Sequence, residues 1–230
     1  MDDNFFVVGK SAVNFCELDS YMLGIGEPWN MISSLIIVFF GLYGLYNVNY
    51  KFVREDNELV ENEKKQSNIL YGLLSCIGFG SMLFHSKLSP FAHWVDIIFI
   101  SIMLVYSQYI LSSQRNILIN KFKYLCWMLI HFITSIYIPQ IHIFLLFGTG
   151  FAIKNSIEYN IELNYLTQIP LNDKLVKEYQ WIKKYFFIGL IFWIIDYFGC
   201  WIISPYHVHW IFYILIGLVS YKIIGLVKYL

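Results

Sequence analysis

The residue types that could do chemistry in this chain are concentrated in the stretch Ile77 to Ile100, IGFGSMLFHSKLSPFAHWVDIIFI. This stretch places Ser81, His85 and Asp96 among side chains that are apolar enough to lie in a bilayer. Ionisable groups at membrane depth are unfavourable unless they are partnered, so we interpret these as functional. A hydroxyl, an imidazole and a carboxyl group that converge could bind a metal ion and transfer protons.

Two helices joined by a short break would bring these groups together. Ser81 and His85 are four residues apart, so they lie on one face of a helix. Pro90, in the break SKLSP, would end that helix and let the next one begin at about Ala92. Because the second helix runs back against the first, we expect Asp96, on its opening turn, to lie near the level of His85.

A second group of candidate residues lies near the end of the chain, in IIDYFGCWIISPYHVHW. Asp196 lies within an apolar run, and His207 and His209 stand at the start of the last one, on the same predicted side as His85 and Asp96. Zinc binds imidazole nitrogen, and a catalytic zinc site needs three protein ligands and a water molecule. Three histidines at one membrane face therefore favour zinc over calcium at this site.

Structural roles are the alternative for these residues. His85 could cap its helix, and Asp96 could cap the next helix or pair with Lys87. His207 and His209, two apart on a helix, would point about 200° apart and could share one ion only if the helix begins after His207. The histidines without such company are interpreted as interfacial or helix-packing groups: His93, His131 and His142.

An acidic segment precedes the first apolar run, NFCELDSYMLGIGEPWN. Its carboxylate and amide oxygens would suit a hard cation such as calcium. A solvated loop beside the membrane is the alternative. The candidate oxygen donors are Asn14, Glu17, Asp19, Glu27 and Asn30.

The composition predicts an all-α polytopic membrane protein. Hydrophobic residues make up 58% of the chain and charged residues 14%, and the mean hydropathy is +0.56. These values lie outside the usual range for soluble domains. The zero net charge, without a basic tail, argues against a nucleic-acid partner, and no obligate protein partner is evident.

Seven apolar runs are candidates for transmembrane helices around a polar site, within a single domain covering residues 1–230. The fourth and fifth are separated only by Pro139 and Gln140 and could be one kinked helix. The predicted spans are Met31 to Tyr50, Ile69 to Ser86, Ala92 to Leu111, Phe122 to Ile138, Ile141 to Ile153, Tyr185 to Trp201 and His209 to Val227.

The distribution of basic residues predicts the orientation. With seven spans, Lys10 and Lys87 fall on the N-terminal side and the other Lys and Arg residues on the opposite side. The positive-inside rule then places the N-terminus, with residues 1–29, in the lumen or outside, and the C-terminus in the cytosol. Cys16 and Cys200 share the lumenal side, where an oxidising compartment would permit a bridge. Cys76 and Cys126 are predicted buried thiols.

In series, the motifs of this chain resemble those of the alkaline ceramidase family, from about Asn14 to Tyr221. The matching pieces are CELD and EPWN, then GFGSMLFH with an aspartate eleven residues later, then WIIDYFGC, then a histidine segment leading into ILIGLVSY. The resemblance implies a seven-span, zinc-dependent hydrolase that cleaves the amide bond of ceramide into a sphingoid base and a fatty acid. It also implies an endoplasmic reticulum or Golgi membrane.

The resemblance assigns roles to individual residues. It makes His85 a zinc ligand, with Ser81 beside the metal and Asp96 in contact with the water. Cys16 and Cys200 would form the family's disulfide bridge. The family's calcium site would map onto Asn14, the carbonyl of Phe15, Glu17, Asp19 and Glu27.

The chain departs from the family at two places. Asn14 replaces an aspartate, which removes a negative charge from the calcium site. The family's final H-x-x-x-H pair is also incomplete: the preferred alignment makes His209 the first ligand and places Tyr213 at the second. The third zinc ligand would then be Tyr213, His207 or neither. The alternatives to an enzyme are a non-catalytic, lipid-binding or receptor-like relative and a small transporter that uses Asp96 and Asp196 as proton sites.

Overall fold

Helices form almost all of the described structure, which is a computed structural model covering residues 25–51, 58–113, 121–166, 173–198 and 209–227. The all-α prediction is confirmed for these residues. Their seven helices are α1 (Pro28–Lys51), α2 (Glu58–Lys87), α3 (Pro90–Ser113), α4 (Lys121–Tyr137), α5 (Pro139–Leu166), α6 (Asp173–Phe198) and α7 (His209–Val227).

Three helices of the described part are long and apolar enough to cross a membrane: Pro28–Asn49, Glu61–Lys87 and Pro90–Ser113. A shorter apolar helix spans Trp210–Leu226. Large apolar side chains face outwards, with Phe144 76% exposed, whereas histidine, serine and aspartate side chains are buried. This inverted arrangement suits a lipid surround, where polar groups must be satisfied inside the protein. The count of seven spans remains a prediction.

Helices α1 and α2 lie at the centre of the described bundle. α1 packs on α2 and α7, α2 packs on α3, and α7 packs on α6. Glycine permits the closest approach, since a Cβ atom at Gly41 of α1 would lie 2.6 Å from the backbone nitrogen of Ser75 of α2.

The chain reverses direction between α4 and α5, which both pack against α3. The rings of His131 on α4 and His142 on α5 are 5.3 Å apart. Further from the turn, the Trp127 Nε1–H donates a hydrogen bond to the Thr149 hydroxyl. The fourth and fifth apolar runs therefore form two antiparallel helices joined at Ile138.

The turn between α2 and α3 forms as its sequence predicts. Leu88 has a φ of 48°, the left-handed conformation that commonly ends helices, and its N–H donates to the Phe84 carbonyl at 2.7 Å. Ser89 then accepts a hydrogen bond from the Ala92 N–H at 3.2 Å, and Pro90 occupies the first helical position. This turn fixes the height of α3 against α2.

α5 and α6 are consecutive in the chain but make few backbone contacts in the described structure. Side-chain contacts join them, among them an ion pair and an aromatic pair. Lys183 Nζ lies 3.0 Å from a Glu158 oxygen, and the rings of Phe147 and Trp193 meet edge to face at 5.7 Å.

Candidate active site

The residues that precede α1 are tied to the end of α2. The Gly26 N–H donates to the Ser86 carbonyl at 3.2 Å, and the Glu27 N–H donates to the His85 carbonyl at 2.9 Å. A Cβ atom at Gly26 would lie 2.4 Å from the Leu88 side chain, so glycine is needed for this close approach. These contacts hold Glu27 directly beside His85.

The imidazole of His85 is hydrogen-bonded at both nitrogens. Nδ1 contacts the Glu27 carboxylate, and Nε2 lies 2.5 Å from the Tyr213 hydroxyl of α7. Asn30 Nδ2 donates to the same Glu27 oxygen at 3.1 Å. His85 and Asn30 are completely buried and Glu27 nearly so, which makes this a closed polar chain from α1 through α2 to α7.

Ser81 lies on the same face of α2, as predicted. Its Oγ is 3.0 Å from Ser34 Oγ, and its hydroxyl also hydrogen-bonds to Tyr213. The backbones of α2 and α3 meet beside it, because a Cβ atom at Gly80 would lie 3.0 Å from the Asp96 Cα. Ser81, His85 and Asp96 therefore do occupy one site.

Two aspartates add further carboxyl groups to this site. Asp96 and Asp196 are both buried, and both interact electrostatically with the Tyr213 hydroxyl. Asp196 also interacts electrostatically with His85. The Asp96 Oδ1 atom has no hydrogen-bond partner among the described residues, which leaves a buried carboxylate oxygen available to an incoming donor.

His85 and Tyr213 have donor atoms of the kind that bind zinc, but they would provide only part of its coordination shell. A carboxylate that orients a histidine through one nitrogen leaves the other nitrogen for the metal, and the Glu27–His85 pair has this form. His85 Nε2 and the Tyr213 oxygen are adjacent donors. Within the described residues, however, no group of three or more His, Cys, Asp or Glu side chains could hold a metal ion. Any further ligand must come from elsewhere in the chain.

Several predicted site residues fall outside the described structure. His209 begins α7, but its side chain is not among those described. Of the five predicted calcium ligands only Glu27 is described, and it contacts His85 and Asn30. Cys76 and Cys126 are free thiols, but both are only partly buried, so the prediction that they are buried was wrong. The residues that lie outside are His207, Asn14, Phe15, Glu17, Asp19, Cys16 and Cys200.

The sequence reasoning missed a second buried polar cluster. His131 and His142 were expected to lack company, but their nitrogens are 3.3 Å apart. Ser101 of α3 contacts His142 at 3.0 Å, and Thr149 contacts His131 at 3.1 Å. The missed signal is that the two histidines lie on either side of Pro139, His131 before it and His142 after it, where α4 and α5 turn back on each other.

Comparison with known proteins identifies the family of this chain. No curated protein matches the chain closely enough to count as a relative. The family model described as Ceramidase matches residues 8–230, which includes all seven described helices and every residue of the candidate site. The chain therefore belongs to the ceramidase family.

Proposed function

We propose that this protein hydrolyses the amide bond of ceramide within the membrane, releasing a sphingoid base and a fatty acid. Family membership supports the reaction class. The observation that carries the proposal is the buried Asp96 Oδ1, which has no partner in the described structure and lies beside the polar chain of His85 and Tyr213. A carboxylate held in this way can accept the proton of an attacking water molecule.

The chain's own residues provide the rest of the machinery. Ser81, whose Oγ accepts a hydrogen bond from Ser34, would turn its own proton from Tyr213 to the oxyanion that develops on the amide carbonyl. Glu27 fixes the orientation of His85, so that Nε2 faces the reaction. Asp96 would then return its proton to the leaving amine.

Zinc is part of this proposal, held by His85 and His209 with Tyr213, His207 or no further residue as the third ligand. When bound, it would supply Lewis-acid polarisation of the amide carbonyl and the water. The inward-facing nitrogen of His85 supports this assignment. Calcium at Asn14, Phe15, Glu17, Asp19 and Glu27 remains a proposal from family resemblance.

The lipid would enter between α5 and α6. These helices contact each other through side chains, among them Lys183–Glu158 and Phe147–Trp193, and the hydrocarbon chain would pass between those two contacts. We also propose that the site faces the lumen of an endoplasmic reticulum or Golgi membrane, because Lys87 stands alone at that end of α2 and α3 while most other basic residues lie at the opposite end.

A non-catalytic, lipid-binding relative is the second candidate. Tyr213 favours it, because a phenol replaces the family's second histidine and hydrogen-bonds directly to His85. Metal analysis of the purified full-length protein, paired with hydrolysis of labelled ceramide, separates the two functions. Zinc together with released fatty acid supports the hydrolase. Zinc without turnover supports the non-catalytic relative.

A further inference from the structure

Two neighbouring serines of α1 differ in one hydrogen bond to the rest of the described structure. Ser33 and Ser34 are both buried, and their hydroxyls donate to the main-chain carbonyl of Asn30 at 2.9 Å and 2.8 Å. Such bonds to a carbonyl three or four residues back commonly satisfy a serine within a helix. Of these two described side chains, only Ser34 also lies 3.0 Å from the Oγ atom of Ser81 on α2. This additional contact links α1 to a residue of the candidate active site.

The contact between the two serines depends on a close approach of α1 and α2 about one turn from Ser81. Gly78 permits this approach, because a Cβ atom there would lie 2.6 Å from the main-chain nitrogen of Val38 and 3.0 Å from the main-chain oxygen of Ser34. Small residues at helix interfaces in membranes let the backbones meet and let short polar side chains hydrogen-bond across them. Packed backbone therefore holds the two hydroxyl groups at this separation.

The direction of the hydrogen bonds in the site follows from the ring of His85. Its Nδ1 atom carries the proton, because its partner is the Glu27 carboxylate, so Nε2 is an acceptor. The hydroxyl of Tyr213 therefore donates to Nε2. Ser81 also hydrogen-bonds to Tyr213, and it must donate to the phenol oxygen, because the proton of that oxygen is already used.

The same reasoning directs the proton of Ser34 towards Ser81. The oxygen of Ser81 presents lone pairs to α1, so the Ser34 O–H points to it as well as to the Asn30 carbonyl. That carbonyl does not depend on Ser34, because it also accepts a hydrogen bond from Ser33. The chain of hydroxyl groups thus runs in one direction, from α1 into the site. Each bond in such a chain polarises the next, which makes Ser81 a stronger donor.

We propose that Ser34 is a positioning residue for the reaction, whose O–H holds the Ser81 oxygen while the Ser81 proton turns to the oxyanion of the amide. This inference rests on the proposed function, in which Ser81 stabilises that oxyanion. Ser34 acts through Ser81 and need not touch the substrate. Its contribution therefore belongs to the transition state, in which negative charge develops on the amide oxygen, and not to substrate binding.

Steady-state hydrolysis of labelled ceramide by full-length Ser34→Ala and Ser33→Ala tests the proposal. Ser33→Ala is the matched control, because it removes the hydroxyl of the adjacent buried serine that bonds to the same carbonyl. We expect kcat to be about ten-fold lower in Ser34→Ala, the effect of one hydrogen bond, with KM unchanged. Ser33→Ala should keep both values. Equal kcat in the two variants, or a change confined to KM, would overturn the proposal.

A double-mutant cycle separates positioning from a structural role. If Ser34 acts through Ser81, adding Ser34→Ala to Ser81→Ala should leave kcat unchanged, measured at high enzyme concentration because Ser81→Ala is itself slow. The same ten-fold loss in that background would overturn the proposal. So would a loss of kcat in Ser34→Ala that comes with a Tm well below that of Ser33→Ala, since it would indicate a folding defect. Absence of hydrolysis by the wild-type protein would instead contradict the proposed function itself.

Discussion

Glu27 and His85 are 58 residues apart in the chain, yet their side chains form a buried hydrogen-bonded pair. The pair exists because the backbone before α1 bonds to the last turn of α2. From sequence, Glu27 was predicted only as a calcium ligand. Its contact with His85 supports a different role in the proposed function, which is to orient the imidazole whose other nitrogen contacts the Tyr213 hydroxyl.

Replacing Glu27 with Gln should weaken zinc binding. The neutral amide cannot stabilise the ring N–H of His85 as a carboxylate does, and loss of such a partner lowers metal affinity by about 10–100-fold. Competition with a chelator measures the affinity. Glu61→Gln, at an exposed position of α2, is the matched control. Equal zinc affinity in all three proteins would contradict the orienting role.

Tyr213 should determine how tightly zinc is held. Tyr213→His restores the family's H-x-x-x-H spacing with His209, so we expect tighter zinc binding, by at least about ten-fold. Tyr213→Phe removes the hydroxyl that lies 2.5 Å from His85 Nε2. If this oxygen is a ligand, Tyr213→Phe loses zinc; if zinc content is unchanged, His207 or no residue is the third ligand.

Because Gly80 of α2 lies close to Asp96 of α3, α2 should not tolerate a larger side chain at the position of Gly80. A Cβ atom at Gly80 would press on the Asp96 Cα at 3.0 Å, so Gly80→Ala must move α3 away from Ser81. We expect a loss of about 1–3 kcal/mol in stability and a larger loss in kcat. Gly148→Ala is the control, because nothing lies within 4 Å of its Cβ position. Equal kcat in the two variants would contradict the close approach.

Glu158, beyond the predicted fifth span, should make the stability of the fold depend on pH through its ion pairs with Lys154 of α5 and Lys183 of α6. Its hydrogen bond with Lys154, with help from Lys183, lowers its pKa from 4.5 to about 2. The carboxylate therefore stabilises the fold above pH 4.5, and this contribution is lost as the pH falls towards 2.

Thermal unfolding of Glu158→Gln and wild type measures this effect. Because the side chain is about a third exposed, solvent screening keeps the difference at or below about 1 kcal/mol. The gap in Tm should close as the pH falls, whereas Glu162→Gln, at an exposed position, should show no gap. A gap that is independent of pH would rule out the charged contact.

The features that depend on local sequence patterns were predicted correctly. The break at SKLSP, the shared face of Ser81 and His85 and the nearness of Asp96 all follow from helix geometry and turn residues. The Glu27–His85 contact and the His131–His142 pair were not predictable in this way. They depend on which helices become neighbours and on small residues such as Gly26 and Gly41 that let them approach.

The Asp96→Asn variant tests the central claim most directly. The substitution preserves shape but cannot accept a proton, so labelled-ceramide hydrolysis should fall to background while zinc content stays at the wild-type level. The two quantities are to be measured on the same purified full-length protein. Hydrolysis at the wild-type rate in this variant would contradict the role of Asp96 and, with it, the proposed site.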